Sequence, residues 1–202
     1  MKVIFATGNE DKLQEIRQIT ADMGIDIVSM KDAGYYTDVE ETGTTFEENA
    51  YLKASTIARK CNLPTLADDS GLEIDYLNKE PGIYSSRYMG KDTPYSVKNA
   101  ELLRRMEGVP DEKRTARFVC AVCLVRPDGS SETVRGTMEG RIAYKIAGKN
   151  GFGFDPIFYL PERGCTAAQL PPEEKNEISH RGKALRMMRD ILEGDMNAPQ
   201  DE

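Results

Sequence analysis

The 202-residue chain has no run of about eighteen apolar residues, and its opening, MKVIFATGNEDK, passes straight into strand-like sequence without an apolar leader segment. Neither a membrane span nor export is expected, and the cytoplasm is the expected setting. The chain also lacks an excess of positive charge. Its net charge is -7, with Lys and Arg scattered among acids rather than gathered into the basic stripe that nucleic-acid surfaces need. Nucleic acid is therefore not an expected partner, although a small anion held by a few local cations is compatible with this balance. Of the 4 cysteines, Cys120 and Cys123 form a C-x-x-C within ARFVCAVCLV. An extended strand would point residues three apart to opposite faces, and no second pair completes a four-ligand zinc site, so buried free thiols are expected. Internal repeats and low-complexity linkers are missing too. With 39% hydrophobic and 30% charged residues, the composition is that of a globular chain able to close one sizeable core or two small lobes.

Strand-like and helix-like stretches alternate. KVIFA reads as a strand, residues 10–21 as a helix with Leu13, Ile16, Arg17 and Met23 roughly on one face, and DIVSM as a second strand, giving a β-α-β opening. TTFEENAYLKASTIARKC reads as a helix entered through a capping box of Thr45 and Glu48. LPTLADDSGLEIDYL reads as strand, turn at Ser70-Gly71, and strand; TPYSVKNAELLRRME as a helix capped near Thr93. Residues 115–143 read as a long hairpin turning at Pro127-Asp128-Gly129, and ISHRGKALRMMRDILEG as a last helix stopping at Gly194, with residues 195–202 frayed. No clean boundary divides residues 1–194, so one α/β domain with a long mixed sheet is expected.

Several stretches break local rules. LADDSGLEID places Asp68 and Asp69 side by side within apolar sequence, where two carboxylates are costly without a metal, a basic partner or a catalytic task. ATGNEDK ends a strand and opens a helix; its free N–H groups, Gly8 and Lys12 suit a phosphate, while a plain turn with Asn9 as N-cap explains the same residues. Lys53 falls inside the apolar arc of Phe46, Ala50, Ala54, Ile57 and Cys61, either snorkelling or aimed into a cleft. Upstream stand Asp38, Glu40, Glu41, Glu47 and Glu48, read as a solvated face and helix-start acids, or in part as partners of Asp68 and Asp69 around a hard cation such as Mg²⁺. In NGFGFDPIF, Gly151-x-Gly153 resembles half of a dinucleotide fingerprint, but Pro156 argues against the helix that should follow; a ring-stacking loop and a β-bulge with core aromatics both fit. His180 and Arg181 occupy the first turn of a helix capped by Ser179, where cations oppose the macrodipole and call for an anionic or electron-rich partner.

TGNEDK, GTTFEENAYLKA, LADDSGLEID, PGIYSSRY, GFGFDPIF and ISHRGKAL, in that order, resemble the motifs of the inosine triphosphatase family, the non-standard purine nucleoside triphosphate pyrophosphatases also called XTP/dITP diphosphatases. The resemblance spans residues 1 to about 192. It implies an elongated mixed β-sheet with flanking helices in two lobes around a central cleft, a homodimer, a Mg²⁺ requirement, and conversion of ITP, dITP or XTP to monophosphate and pyrophosphate. By the same resemblance Thr7, Gly8, Asn9, Glu10, Asp11 and Lys12 hold the triphosphate, Glu40 and Asp69 the metal, and Ser70 and Lys53 the phosphate side. Phe152, Gly153, Phe154, Asp155, Lys175, His180 and Arg181 surround the base, and Asp69 accepts the proton. A nucleotide-binding sensor without turnover and a pyrophosphatase for pyrimidine or modified nucleotides are the rival readings.

Overall fold

The computed structural model describes residues 2–22, 24–35 and 37–197; Met23 of the expected helix face and residues 198–202 of the expected frayed tail lie outside them. A seven-stranded mixed sheet has the order β2-β1-β3-β4-β5-β6-β7. Its strands are β1 (Lys2–Phe5), β2 (Asp26–Ser29), β3 (Thr65–Ile74), β4 (Thr115–Val125), β5 (Ser131–Ile142), β6 (Phe158–Leu160) and β7 (Cys165–Thr166). The helices are α1 (Glu10–Thr20), α2 (Phe46–Cys61), α3 (Tyr95–Arg105), α4 (Pro172–Ile178) and α5 (His180–Asn197). β1 runs parallel to β2 and β3, as the β-α-β opening requires, while β5, β6 and β7 are antiparallel. The expected α/β class is the class found.

Two compact units emerge: residues 1–69, 120–136 and 181–202 form the first, and residues 70–119 and 137–180 the second. In the first, α1 and α5 lay Ile16, Ala184, Leu185, Met188 and Leu192 against Val3, Phe5, Leu66, Cys120 and Val122. The second buries Leu72, Ile74, Leu102, Met106, Phe118, Phe154 and Phe158. Each core is a continuous apolar cluster, so each unit has its own hydrophobic reason to hold its backbone still.

Four local expectations are corrected. β3 is continuous from Thr65 to Ile74, with no turn at Ser70-Gly71. The capping box is shifted by one residue: Thr45 caps α2 by accepting from the Glu48 N–H, while the Glu48 carboxylate accepts chiefly from the N–H and hydroxyl of Thr44 and less from the Thr45 N–H. Pro94, with φ -59 already suited to a helix start, takes the place expected for Thr93, whose hydroxyl donates to the Met89 carbonyl. α5 continues through Gly194 to Asn197 because Arg126 Nε and Nη2 grip Asp195 at 2.6 and 2.8 Å. The β4-β5 turn is as expected, with Gly129 at φ +88. All four cysteines are free thiols, Cys120 and Cys123 buried as expected, and among the described residues no helix is long and apolar enough to cross a membrane.

Candidate active site

Because β3 is unbroken, its side chains alternate between faces, and the neighbours Asp68 and Asp69 are sent to different partners. Asp68 meets α1 and α5. Lys12 Nζ lies 3.0 Å from Asp68 Oδ2, and Arg181 Nε and Nη2 donate to the same oxygen at 3.4 and 3.3 Å. Arg181 Nη1 also donates to Glu15 Oε2, and Glu15, Asp68 and Arg181 are all buried. Burial alone would raise the Asp68 carboxyl, but Lys12, then Arg181 and Lys53, hold it well below the usual carboxylate range. Asp68 is thus a locked anion. Asp68 Oδ1 accepts no hydrogen bond among the described residues. Close by, the Cys120 thiol is pushed up to about 12 by burial and by Asp68, which makes it inert.

Asp69 meets α2. Lys53 Nζ donates to Asp69 Oδ1 at 3.2 Å and to Glu41 Oε1 at 2.6 Å, and Asn49 Nδ2 donates to Asp69 Oδ2 at 3.3 Å. Asn49 and Lys53 are one helical turn apart, so a single face of α2 supplies one donor to each oxygen. Burial raises the Asp69 carboxyl, and although Lys53 and Lys12 oppose this, Glu41 and Asp68 add to it; the net direction is upward. Burial would lower the Lys53 ammonium, but Asp69, Asp68 and Glu41 outweigh it and hold it above its ordinary value. Lys53 is therefore aimed at carboxylates rather than snorkelling. Asp69 is the opposite of Asp68: a carboxylate whose protein surroundings leave its charge under-compensated.

The acid that shares Lys53 with Asp69 is Glu41, whereas Glu40 is exposed. Among the described residues no three His, Cys, Asp or Glu side chains are grouped as metal ligands. A pair of carboxylates nevertheless fits Mg²⁺ that arrives with phosphates, since that ion takes one or two carboxylates and fills its remaining positions with water and phosphate oxygens. The under-compensated charge of Asp69 is the feature that suits a cation.

At residues 7–12 Asn9 is the N-cap of a plain turn: Asn9 Oδ1 accepts from the Lys12 N–H, and Thr7 Oγ1 from the Asn9 N–H. Glu10 and Asp11 are exposed in the first turn of α1. An added Cβ at Gly8 would meet only Met30 Cε, at 3.8 Å, so no neighbouring atom of the protein demands glycine there.

In the second unit, the 151–155 loop is fastened to itself and to α3 and α4. Asp155 Oδ2 accepts from the Phe152 N–H at 2.9 Å and from Lys175 Nζ at 2.7 Å, while Lys175 also stands over the Phe152 ring. Gly151, at φ +70, cannot be replaced, since a Cβ there would lie 2.1 Å from Asp155 Oδ2. Asn99 Nδ2 donates to the Gly153 carbonyl, and Phe154 is buried edge-on against Tyr95. Phe154 is a core aromatic and Phe152 is half-buried, so the loop and core readings each describe one ring. Ser70 is half-buried, and His180 stacks on Phe118 at 4.9 Å. Arg181, expected at the base, donates guanidinium hydrogen bonds to Asp68 and Glu15.

A sequence profile of the Ham1 family matches residues 3–191. The chain belongs to the Ham1 family. Relatives named dITP/XTP pyrophosphatase include one from Photorhabdus laumondii, 49% identical over 95% of this chain and 98% of its own length. Another, from Geobacillus kaustophilus, is 48% identical over 91% and 90%. Among solved structures, the Staphylococcus aureus Ham1 protein has a TM-score of 0.86 at 40% identity, covering 96% of this chain and 100% of that one. A HAM1 protein from Coxiella burnetii has a TM-score of 0.87 at 41% identity over 96% and 99%. The resemblance drawn from the motifs agrees with these relatives.

Proposed function

We propose that the chain hydrolyses dITP, XTP and ITP between the α- and β-phosphates, releasing monophosphate and pyrophosphate and so clearing deaminated purine nucleotides from the precursor pool. The names of relatives at 49% and 48% identity support the activity. The observation that carries the site is Asp69, a buried carboxylate raised above its ordinary value yet held by one donor on each oxygen. Such a group can orient a water for in-line attack and take its proton. Lys53 and Lys12 would neutralise charge on the phosphates, with the Thr7–Asn9 backbone and Ser70 receiving them. Asp69 and the Glu40-Glu41 pair, of which Glu41 already stands at Lys53, would hold Mg²⁺, whose chemistry there is charge neutralisation at the phosphoryl oxygens.

For the base, Phe152 to Asp155, Lys175, His180 and Arg181 remain the candidates. Inosine and xanthine present an acceptor O6 where adenine presents a donor amine, so a pocket lined with donors accepts the former and leaves the adenine amine unpaired. A homodimer and a cytoplasmic setting belong to the same reading. The purified chain, given dITP, XTP, ITP or dATP with Mg²⁺, should release pyrophosphate from the first three and little from dATP. Orthophosphate as the product, or equal turnover of dATP, would overturn the proposal.

A further inference from the structure

Asn49 was not among the residues that the sequence singled out, yet it is wholly buried on α2, between the acidic segment and β3. Its side-chain orientation is fixed by chemistry. The Gly43 N–H, 2.8 Å away, can only donate, so the atom facing it is the amide oxygen; the amide NH₂ must then face Asp69 Oδ2, at 3.3 Å. Gly43 allows that approach: a Cβ there would lie 2.7 Å from Asn49 Oδ1, 2.7 Å from Glu48 Cβ and 3.1 Å from the Asn49 nitrogen. Two bridges therefore run in parallel from the acidic segment through α2 to the same carboxylate: Glu41 to Lys53 to Asp69, and Gly43 to Asn49 to Asp69.

We infer that Asn49 is a positioning residue for the hydrolysis, fixing the rotation of the Asp69 carboxylate through its amide while Gly43 N–H fixes Asn49. Lys53 alone holds one oxygen on a flexible stem and leaves the carboxylate free to turn about Cβ–Cγ. A second donor on the other oxygen removes that turn and leaves the remaining lone pairs aimed in one direction. The inference rests on the pyrophosphatase reading and adds to it the residue that pre-orients the base.

The test uses Asn49→Asp, which can still accept from Gly43 N–H but presents an acceptor to Asp69, together with Gly43→Ala, which disturbs the same link from the other end. Wild type and Asp69→Asn are assayed alongside with dITP. Both variants should lose about 10-fold or more in kcat with KM for dITP within about threefold, and the double variant should be no worse than about the weaker single. Circular dichroism and a thermal melt on each sample establish the folded fraction, and if Asn49→Asp does not fold, Gly43→Ala carries the kcat measurement. Kcat per folded molecule equal to wild type in either variant would overturn the inference, as would a rise in KM at constant kcat. A wild type that makes no pyrophosphate would instead count against the proposed function. Amide exchange at Gly43, expected to be slow in wild type and fast in Asn49→Leu, tests the link with no substrate present; equal rates would overturn it.

Discussion

Asp68 and Asp69 share a peptide bond and nearly equal burial, yet their surroundings push them in opposite directions. Asp68 gathers Lys12 and Arg181 on one oxygen and is held far below the usual carboxylate range. Asp69 accepts from one cation and one amide, with Lys12 acting on it without a hydrogen bond, and is held above it. The difference shows how a strand gives two environments to one repeated residue. Alternation separates neighbours onto faces where different helices wait, and the number of cations on each face decides whether the acid is locked or available.

The comparison is broken most severely at Asp69. Asp69→Asn keeps the shape and loses the proposed base, so kcat for dITP should fall by about 10²-fold or more while the melting temperature moves little. A normal kcat would remove Asp69 from the mechanism. Asp68→Asn should reverse that pattern in stability. Removing one partner of a buried ionic group costs on the order of 3–5 kcal/mol, read as a lower urea midpoint. Because the folded-state pKa of Asp68 is depressed, its contribution is present above the unfolded value of about 4 and is lost as pH falls toward the lower folded value. The gap in stability between wild type and Asp68→Asn should therefore narrow on acidification below about pH 4; a constant gap would mean that the charge of Asp68 is not what stabilises.

Lys53→Met sharpens the contrast by leaving Asp69 with the Asn49 amide and no ion-paired lysine. α2 should stay folded, since Phe46, Ala50, Ala54 and Ile57 still bury its arc, while kcat falls about 10-fold or more. A melt and an activity assay on one sample decide it; unchanged turnover would contradict it. The smallest effect concerns Cys120 beside Asp68. Its thiol, buried and pushed up to about 12, should resist iodoacetamide in the native protein while the partly exposed Cys61 and Cys165 react. Rapid alkylation of Cys120 would show that the Asp68 face opens to solvent.

Much of this was legible in the sequence wherever periodicity was strong: the β-α-β opening, α2 with its misplaced Lys53, and the β4-β5 hairpin. Ser70-Gly71 misled because the pair is typical of turns, while in β3 the pairing of the sheet overrides local preference. The adjacent acids therefore looked like a case for a shared cation, when alternation already separates them. Glu40 and Glu41 lie in a segment with no period, so nothing local showed that Glu41 is the one that reaches Lys53. Asn49 could have been found, since at 100° per residue it falls beside Lys53 on the inner arc of α2, a second polar residue on an apolar face. Arg181 carried a true signal, a cation in a first helical turn that needs an anion, but the anions are Asp68 and Glu15, distant in sequence. Short α4, closely following β7, has too few residues for a period to show.

The division of labour between the two acids is tested most directly by following the side-chain carboxyl ¹³C signals of Asp68 and Asp69 in the metal-free protein from about pH 7 to about pH 3. The account predicts that Asp69 begins to take up its proton above the ordinary aspartate value of about 3.9, while Asp68 remains ionised throughout the range in which the protein stays folded. Titration of Asp68 before Asp69, or of both together near the ordinary value, would contradict it.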